Sequence, residues 1–270
     1  MNEKAKDLLG KEKYDFADLC RVMEILRGEG GCPWDREQTH ESIRKNFIEE
    51  TYEVVEAIDN RDAQLLCEEL GDVLLQVVFH TEMEREAGRF DIGDVTDGIV
   101  KKLIYRHPHI FADTDAATAD AVLENWDKLK AKEKHRDTVT ASMRAVPRPL
   151  PALMRAEKVG KRAAKVGFDF ESAADAAKKI AEETEEVLTA SDATRAEEVG
   201  DLLFAAVNVA RKCGVDPEAA LTAATDKFID RFAAVENAVT ADGKSMENLP
   251  LAALDAYWDR VKAARSGENT

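Results

Sequence analysis

Two copies of one pattern of residues run in the same order along this chain of 270 residues. The segment EETYEV at 49–54 returns as EETEEV at 182–187, and EELGDVL at 68–74 returns as EEVGDLL at 197–203. A Lys-x-x-x-Arg pair and then a Trp-Asp-x-x-Lys group follow each copy. Several features repeated in unchanged order indicate duplication of one structural unit. The chain is therefore predicted to contain two related units in tandem.

Each unit is predicted to be all-α. Apolar residues recur at three- and four-residue spacing, and alternating segments typical of strands are almost absent. The pattern predicts helices over 15–27, 39–60, 62–87, 91–106, 118–135, 152–165, 171–190, 194–212, 216–239 and 251–264. Three prolines within 147–151 disfavour a continuous helix. We therefore predict a first helical domain at 1–140, a proline-rich linker at 141–151 and a second helical domain at 152–270.

The composition is that of a soluble globular protein, with 44% hydrophobic and 34% charged residues. A net charge of −16 would repel a nucleic-acid duplex, and the sequence shows no basic stripe to offset it. The amino-terminal sequence is charged throughout, unlike a signal peptide, and the longest apolar stretches are too short to span a bilayer. A cytoplasmic protein without a membrane partner is expected.

The duplicated segments place carboxylates on shared helical faces. Because each helical residue turns by about 100°, Glu50 and Glu53 share one face, and Glu69 and Asp72 share another. Apolar residues occupy nearly every side of the helix that carries Glu69 and Asp72, so this helix is expected to be buried. Buried carboxylates that stay ionised are expected to need a cation. Oxygen-rich sites of this kind suit Mg2+, with Mn2+ as a substitute.

A glycine separates the acidic residues of the second segment in both copies, at Gly71 and Gly200. Glycine costs about 0.5–1 kcal/mol relative to alanine inside a helix. These glycines therefore predict the close approach of a neighbouring backbone or of a ligand. The alternative is that the acidic runs are solvated helix faces, which the repetition of the whole constellation disfavours.

Basic and aromatic residues follow each acidic group. Lys227 and Arg231 lie four residues apart on one helical face, where arginine offers a bidentate fork to a phosphate. Trp258 and Lys262 are candidates for stacking on a base or sugar and for a phosphate contact. A surface pair and a core tryptophan are the alternatives. The five histidines are interpreted as structural, since none has a partner at ligand spacing.

Together these motifs resemble the MazG-type nucleoside triphosphate pyrophosphohydrolases, in their tandem-domain bacterial form. The likeness rests on Glu-Glu-x-x-Glu followed by Glu-x-x-Asp in both halves, and on GCPWD at 31–35, RHPH at 106–109 and PxPALM at 149–154. The family implies all-α units that form helix bundles in a homodimer. It also implies Mg2+-dependent hydrolysis of many ribo- and deoxyribonucleoside triphosphates to monophosphate and pyrophosphate, in house-cleaning or control of nucleotide pools.

Carried over by position, the resemblance assigns metal ligands in both halves. Those of the second half are Glu182, Glu183, Glu186, Glu198 and Asp201. Those of the first half are Glu49, Glu50, Glu53, Glu69 and Asp72. The catalytic residues are expected to be Glu182, Glu183 and Glu198. Glu182 would hold or activate water through a second ion.

The resemblance also assigns contacts to the substrate. The residues of the second half are Lys179, Lys227, Arg231, Trp258 and Lys262. Candidates for the same contacts in the first half are Lys102, Arg106, Trp126 and Lys130. Trp258 would lie near the nucleoside, and the cations would meet phosphates. One departure is the Thr194-Arg195 pair, which stands where related chains place a lysine.

The second half is favoured as the working site. Lys179 stands one turn before its first acidic pair, whereas Asn46 occupies that place in the first half. The hypothesis is in-line attack of a metal-bound water on the α-phosphorus, with pyrophosphate as the leaving group. The first acidic group would then be a second active site or a scaffold that retains its ligands.

Two other classes of function remain as alternatives. A di-iron carboxylate oxidoreductase would carry Glu-x-x-His motifs, and the carboxylate clusters here contain none. A non-enzymatic dimerisation module with solvated acidic helices would gain no specific stability from Mg2+.

Overall fold

The structure, a computed structural model, describes residues 5–111, Thr118 and residues 138–267, with side chains as far as Ala264. Helices supply the regular secondary structure, and the described residues include no β-strand. The predicted all-α fold is thereby confirmed. The chain divides into two compact units, Met1–Lys130 and Ala131–Thr270.

The first unit is built around a helical hairpin. Its described helices are α1 (Phe16–Arg27), α2 (Pro33–Glu37), α3 (His40–Asn60), α4 (Ala63–Glu86), α5 (Ile92–Arg106) and α6 (Pro108–Phe111). Helices α3 and α4 pack closely along their length. Arg61 turns the chain between them in the left-handed conformation, with φ 54°. Asp62 then begins α4 by accepting hydrogen bonds from the amides of Gln64 and Leu65.

The core of the first unit joins α1 to this hairpin. It consists of the buried side chains Met23, Ile43, Val78, Phe79 and Met83. Burial of such side chains contributes roughly 1.5–3 kcal/mol each. The core therefore fixes the carboxyl-terminal half of α4, beyond the acidic positions.

The second unit repeats the arrangement with different side chains. Its described helices are α7 (Val139–Arg144), α8 (Ala152–Ala164), α9 (Ala173–Thr189), α10 (Arg195–Lys212), α11 (Pro217–Ala241) and α12 (Leu251–Gly267), with a 3-10 turn at Met246–Asn248. Helices α9 and α10 form the close pair, and α8 packs on α10 and α11. Val235, Val239 and Tyr257 form the buried core between α11 and α12.

The helix ends lie within three residues of the predicted positions wherever the structure describes them. The predicted helix at 118–135 lies outside the described residues, Thr118 apart. Residues 145–151 contain no helix, whereas 141–144 belong to α7. The domain limits at 140 and 152 stay a prediction. None of the described helices combines the length and the apolar character needed to cross a membrane.

The helices that carry the acidic segments are less buried than predicted. On α4, Leu70 is 51% exposed and Leu74 is 39% exposed, and on α10 Leu203 is 51% exposed. The expectation of burial nearly all round is wrong for the single chain. The reason is that each helix packs against its hairpin partner and against α1 or α8, and the described residues leave these leucines uncovered.

Candidate active site

The second unit gathers three carboxylates between α9 and α10. One oxygen each of Glu183, Glu186 and Glu198 lies within 4.8 Å of the other two. Ser172 caps α9 at its amino-terminal end. Ala176 and Glu183, two turns apart, lie on the buried face of this helix. Glu198 lies in the first turn of α10, where the helix dipole favours a negative charge. Three of the five predicted ligands thus converge on one point.

Glu183 is the buried member of this second cluster, with 5% of its surface exposed. Its Oε1 atom lies 2.6 Å from Lys179 Nζ, and the same ammonium donates to Glu182 Oε1 at 2.8 Å. The Oε2 atom of Glu183 has no hydrogen-bond partner in the described part of the chain. A buried carboxylate oxygen without a partner is costly. This oxygen is therefore the strongest point for a cation to attach.

The ionisation of the second cluster follows from its charges. The hydrogen bond from Lys179 lowers the pKa of Glu183 below its usual range. A hydrogen bond shared with Glu183 raises the pKa of Glu186, and the negative charge of Glu183 raises it further. Hydrogen bonds to Glu182 and Glu183 raise the pKa of Lys179. Lys179 therefore remains a cation beside the carboxylates at neutral pH.

The first unit gathers a corresponding cluster, formed by one oxygen each of Glu50, Glu69 and Asp72 within 4.8 Å. Burial raises the pKa of Glu50 and of Glu69, and the neighbouring Glu53 raises both further. No ion pair joins the three clustered carboxylates to a cation in the described ranges. Charge repulsion in this first cluster is thus unrelieved by lysine or arginine.

Four of the predicted ligands lie outside the two triplets, namely Glu49, Glu53, Glu182 and Asp201. Glu49 is paired with Lys45 at 2.9 Å on the exposed side of α3. Asp201 lies outside the triplet of the second unit and lines the cavity beside it. No side chain or backbone atom among the described residues would lie within 4 Å of a Cβ at Gly71 or Gly200. The close approach predicted at these glycines is thus not made by the described residues, which leave both helix faces open there.

The basic and aromatic candidates of the second unit meet on the hairpin of α11 and α12. The Arg231 guanidinium lies 5.0 Å from the ring centre of Trp258, which also packs against Phe228 at 5.2 Å. Lys227 and Lys262 are exposed. The Nε atom of Arg231 is buried without a hydrogen-bond partner among the described residues. Arg231 and Trp258 do not line the cavity that adjoins Lys179.

The substrate-contact candidates of the first half are distributed differently. Lys102 is half-buried on α5, and Arg106 is 4% exposed at its end. Trp126 and Lys130 lie outside the described residues. The roles proposed for these four residues stay predictions.

A pair of histidines in the first unit was not anticipated. His40 Nδ1 lies 2.7 Å from His80 Nδ1, and the rings are stacked with centres 5.0 Å apart. His40 Nε2 lies 2.6 Å from Glu84, which also binds Arg89. The sequence spacing of the histidines gave no partner for either residue, so this contact is a finding of the structure. They are 40 residues apart in sequence, and only the hairpin of α3 and α4 brings them together.

A second feature not anticipated is a cavity of about 610 Å³ in the second unit. Lys179, Glu183 and Asp201 line one part of it, and Asn208 and Arg211 line another. Apolar side chains of α8, α10 and the loop before α9 complete the lining. The second cluster of carboxylates therefore borders a space large enough for a small organic molecule.

Comparison with known proteins identifies relatives along nearly the whole chain. Residues 38–111 match the model of the MazG nucleotide pyrophosphohydrolase domain, and residues 151–227 match that of phosphoribosyl-ATP pyrophosphohydrolase. The nucleoside triphosphate pyrophosphohydrolase/pyrophosphatase MazG of Thermotoga maritima is 44% identical over 248 residues, which cover 92% of this chain and 95% of the relative. The chain belongs to the MazG family.

Two further relatives extend this finding. The nucleoside triphosphate pyrophosphohydrolase of Escherichia coli K12 is 44% identical over 251 residues, covering 90% of this chain and 95% of the relative. YabN of Bacillus subtilis, an uncharacterised protein, is 42% identical over 254 residues, covering 92% of this chain and 52% of its own length. The predicted resemblance and the predicted class of enzyme, a pyrophosphohydrolase, are confirmed.

Proposed function

We propose that this chain hydrolyses ribo- and deoxyribonucleoside triphosphates to monophosphate and pyrophosphate with Mg2+ as the cofactor. The reaction is proposed to take place at the second cluster, in the cytoplasm. The observation that carries the proposal is the buried Glu183, whose Oε2 atom has no hydrogen-bond partner among the described residues although Lys179 binds the other oxygen. Glu186 and Glu198 lie close enough to share a ligand with it.

The residues present fit a hard divalent cation. All three clustered groups are carboxylates, and oxygen ligands are those that Mg2+ and Mn2+ prefer. Glu183, Glu186 and Glu198 would hold the ion, with Asp201 and Glu182 at the edge of the site. When bound, Mg2+ supplies charge neutralisation at the phosphates and lowers the pKa of an attacking water.

Lys179 would act on the substrate directly. Its ammonium is held between two carboxylates and its side chain is 38% exposed, so the group can meet a phosphate oxygen. A fixed positive charge at this place would neutralise charge that develops on the α-phosphate and on the leaving pyrophosphate. Glu182 and Glu183 position this cation through their hydrogen bonds, in addition to the catalytic roles proposed for them with Glu198.

A homodimer is proposed to complete the site. Exposed apolar side chains lie on α10, α11 and α3, and include Val199, Leu203, Phe228, Phe232, Ile48 and Tyr52. Exposed apolar surface on this scale is typical of a protein interface. A second copy packed there would cover the open faces at Gly71 and Gly200. It would also bring Lys227, Arg231, Trp258 and Lys262 of one copy towards the carboxylates of the other.

The reaction is tested by incubating the protein with a panel of ribo- and deoxyribonucleoside triphosphates and Mg2+. Pyrophosphate and the matching monophosphate are the expected first products, and activity should disappear with a chelator and return with Mg2+ or Mn2+. Orthophosphate as the first product would contradict the proposal.

The assignment to the second unit is tested by paired substitutions. Glu198→Gln should lower kcat/KM for pyrophosphate release by roughly a hundredfold or more, because it removes one ligand charge from the cluster. Glu69→Gln makes the same change in the first cluster and should leave most of the activity. Equal losses in both variants would show two working sites, and loss only in Glu69→Gln would move the reaction to the first unit.

A further inference from the structure

The cavity of the second unit is apolar along its walls and polar at two ends. Phe168, Phe170 and Phe204 contribute aromatic rings to the walls. Lys179 and Glu183 line it from α9, and Asn208 lines it from α10. An apolar space with a few fixed polar groups is typical of a site for a small organic ligand.

Asn208 is a fixed polar group in this cavity. Its side chain is buried, with 7% of the residue exposed. Its Nδ2 atom donates to the Phe204 carbonyl at 3.1 Å, and its Oδ1 atom accepts from Arg211 Nη2 at 3.1 Å. Arg211 is itself held by Asp169, whose Oδ2 atom lies 3.1 Å from Nη1. Since an amide nitrogen carries two hydrogens, one N–H of Asn208 remains available to a ligand.

The spacing along α10 relates this donor to the carboxylates. Asp201 and Asn208 lie seven residues apart, which places them on the same face and about 10 Å apart along the axis. Both line the cavity. A ligand with its phosphates at the carboxylate end can therefore reach Asn208 with its other end, across the length of a nucleoside.

The first unit shows what closes such a space. Alignment of EELGDVL with EEVGDLL places Phe79 at the position of Asn208. Phe79 is 5% exposed and belongs to the core with Met23, Ile43 and Val78. The equivalent region of the first unit is thus filled by an aromatic side chain, whereas the second unit has a cavity and a hydrogen-bond donor.

We propose that this cavity binds the nucleobase and that Asn208 donates a hydrogen bond to an acceptor atom on its edge. The aromatic walls then pack against the base, and Asp169 positions Asn208 through Arg211. This inference rests on the proposed function, because the carboxylate cluster is taken as the phosphate end of the site. It adds a specificity-determining residue that the motifs of the sequence do not contain.

The test measures binding without turnover. Isothermal titration calorimetry with Mg2+ compares α,β-methylene ATP, whose α–β linkage resists hydrolysis, with inorganic tripolyphosphate, which has no nucleoside. Asn208→Leu should bind the ATP analogue about tenfold more weakly, through loss of one hydrogen bond to the base. Asn208→Phe should abolish detectable binding of the analogue by filling the cavity. Both variants should bind tripolyphosphate as the wild type does. Asn237→Leu, on the exposed side of α11, is the control and should bind both ligands as the wild type does.

Three results would overturn the inference. In the first, both Asn208 variants bind the analogue as tightly as the wild type does. In the second, the variants lose affinity for tripolyphosphate in parallel with the analogue. In the third, the wild type binds tripolyphosphate as tightly as it binds the analogue. Parallel loss would show that Asn208 only supports the fold. The proposed function fails separately if the wild type binds the analogue as expected and releases no pyrophosphate from ATP.

Discussion

Lys179 is the residue that most clearly distinguishes the two carboxylate clusters. It pairs with Glu183 at 2.6 Å, whereas the corresponding position of the first unit is Asn46. Lys179 supplies positive charge next to a group of carboxylates that must also receive a polyanion. Lys179 therefore lowers the pKa of Glu183 and is proposed also to bind phosphate.

Lys179→Ala is expected to lower kcat/KM for pyrophosphate release roughly 10- to 100-fold, because a charge-assisted contact to phosphate is lost. Loss of Lys179 also removes the main cause of the lowered pKa of Glu183, so the pH profile should shift towards higher pH. Lys178→Ala is the matched control, since Lys178 pairs with Asp175 on the exposed side of α9. Steady-state kinetics at several pH values checks both effects, and equal activity of the two variants would contradict the role given to Lys179.

The stability of the first unit at acidic pH depends on the ionisation of one carboxylate, that of Glu84. The hydrogen bond from Arg89, with a further one from His40, lowers the pKa of Glu84 to about 2. Since the folded-state pKa is below the ordinary value of about 4.3, ionised Glu84 stabilises the fold above that value. This contribution is lost as the pH falls towards about 2.

Glu84→Gln is therefore expected to be less stable than the wild type at neutral pH, with a difference that shrinks as the pH falls from about 4.5 to about 2. Thermal unfolding followed by circular dichroism at a series of pH values provides the measurement. Glu56→Gln, on the exposed side of α3, is the control and should unfold like the wild type. A constant difference between Glu84→Gln and wild type across this range would contradict the ionic role of Glu84.

At the scale of the element, α4 and α10 have two sides with different partners. One side packs against α3 or α9 and carries the carboxylates at the junction. Other positions on these helices leave leucine exposed, among them Leu74 and Leu203. Because apolar surface of this extent is unfavourable in water, a second copy is proposed to cover it.

Leu203→Glu is expected to convert the proposed dimer to a monomer and to lower activity, because a charge would be buried in an apolar interface. Leu9→Glu places the same charge at a leucine that is 67% exposed outside the long helices, and it should leave the assembly unchanged. Sedimentation velocity gives the mass of each variant. A wild-type monomer, or a dimer that persists in Leu203→Glu, would contradict the proposed interface.

At the scale of the whole molecule, the net charge of −16 gives divalent cations a general attraction to the chain. Binding at a built site adds stability in proportion to the logarithm of the cation concentration, about 2.7 kcal/mol at a hundredfold excess over Kd. The two kinds of effect are separable, because general screening depends only on ionic strength.

Mg2+ should raise the unfolding temperature more than NaCl of equal ionic strength, and Mn2+ should do the same. Glu183→Gln should lose most of this gain, since it removes the charge of the buried carboxylate. Differential scanning calorimetry measures the shift. The same shift with NaCl as with Mg2+ would contradict the proposed metal site.

The sequence by itself determined the features that depend on local spacing. Helical periodicity and capping residues such as Asp62 and Ser172 fixed the helices, because these interactions act over one turn. The repeated Glu-x-x-Glu and Glu-x-x-Asp patterns located the carboxylates, because residues three apart share a helical face. The duplication and the family resemblance follow from the same motifs, and the comparisons with relatives confirm that resemblance.

Only the tertiary structure decided which of these groups meet and which are buried. The burial of Glu183, with one oxygen unpaired in the described part of the chain, depends on the packing of α9 against α10. The pairing of His40 with His80 and the cavity around Asn208 depend on contacts between different helices. Burial and the partners of a charge are set by neighbours far away in sequence, so helical spacing locates a candidate side chain but does not determine its environment.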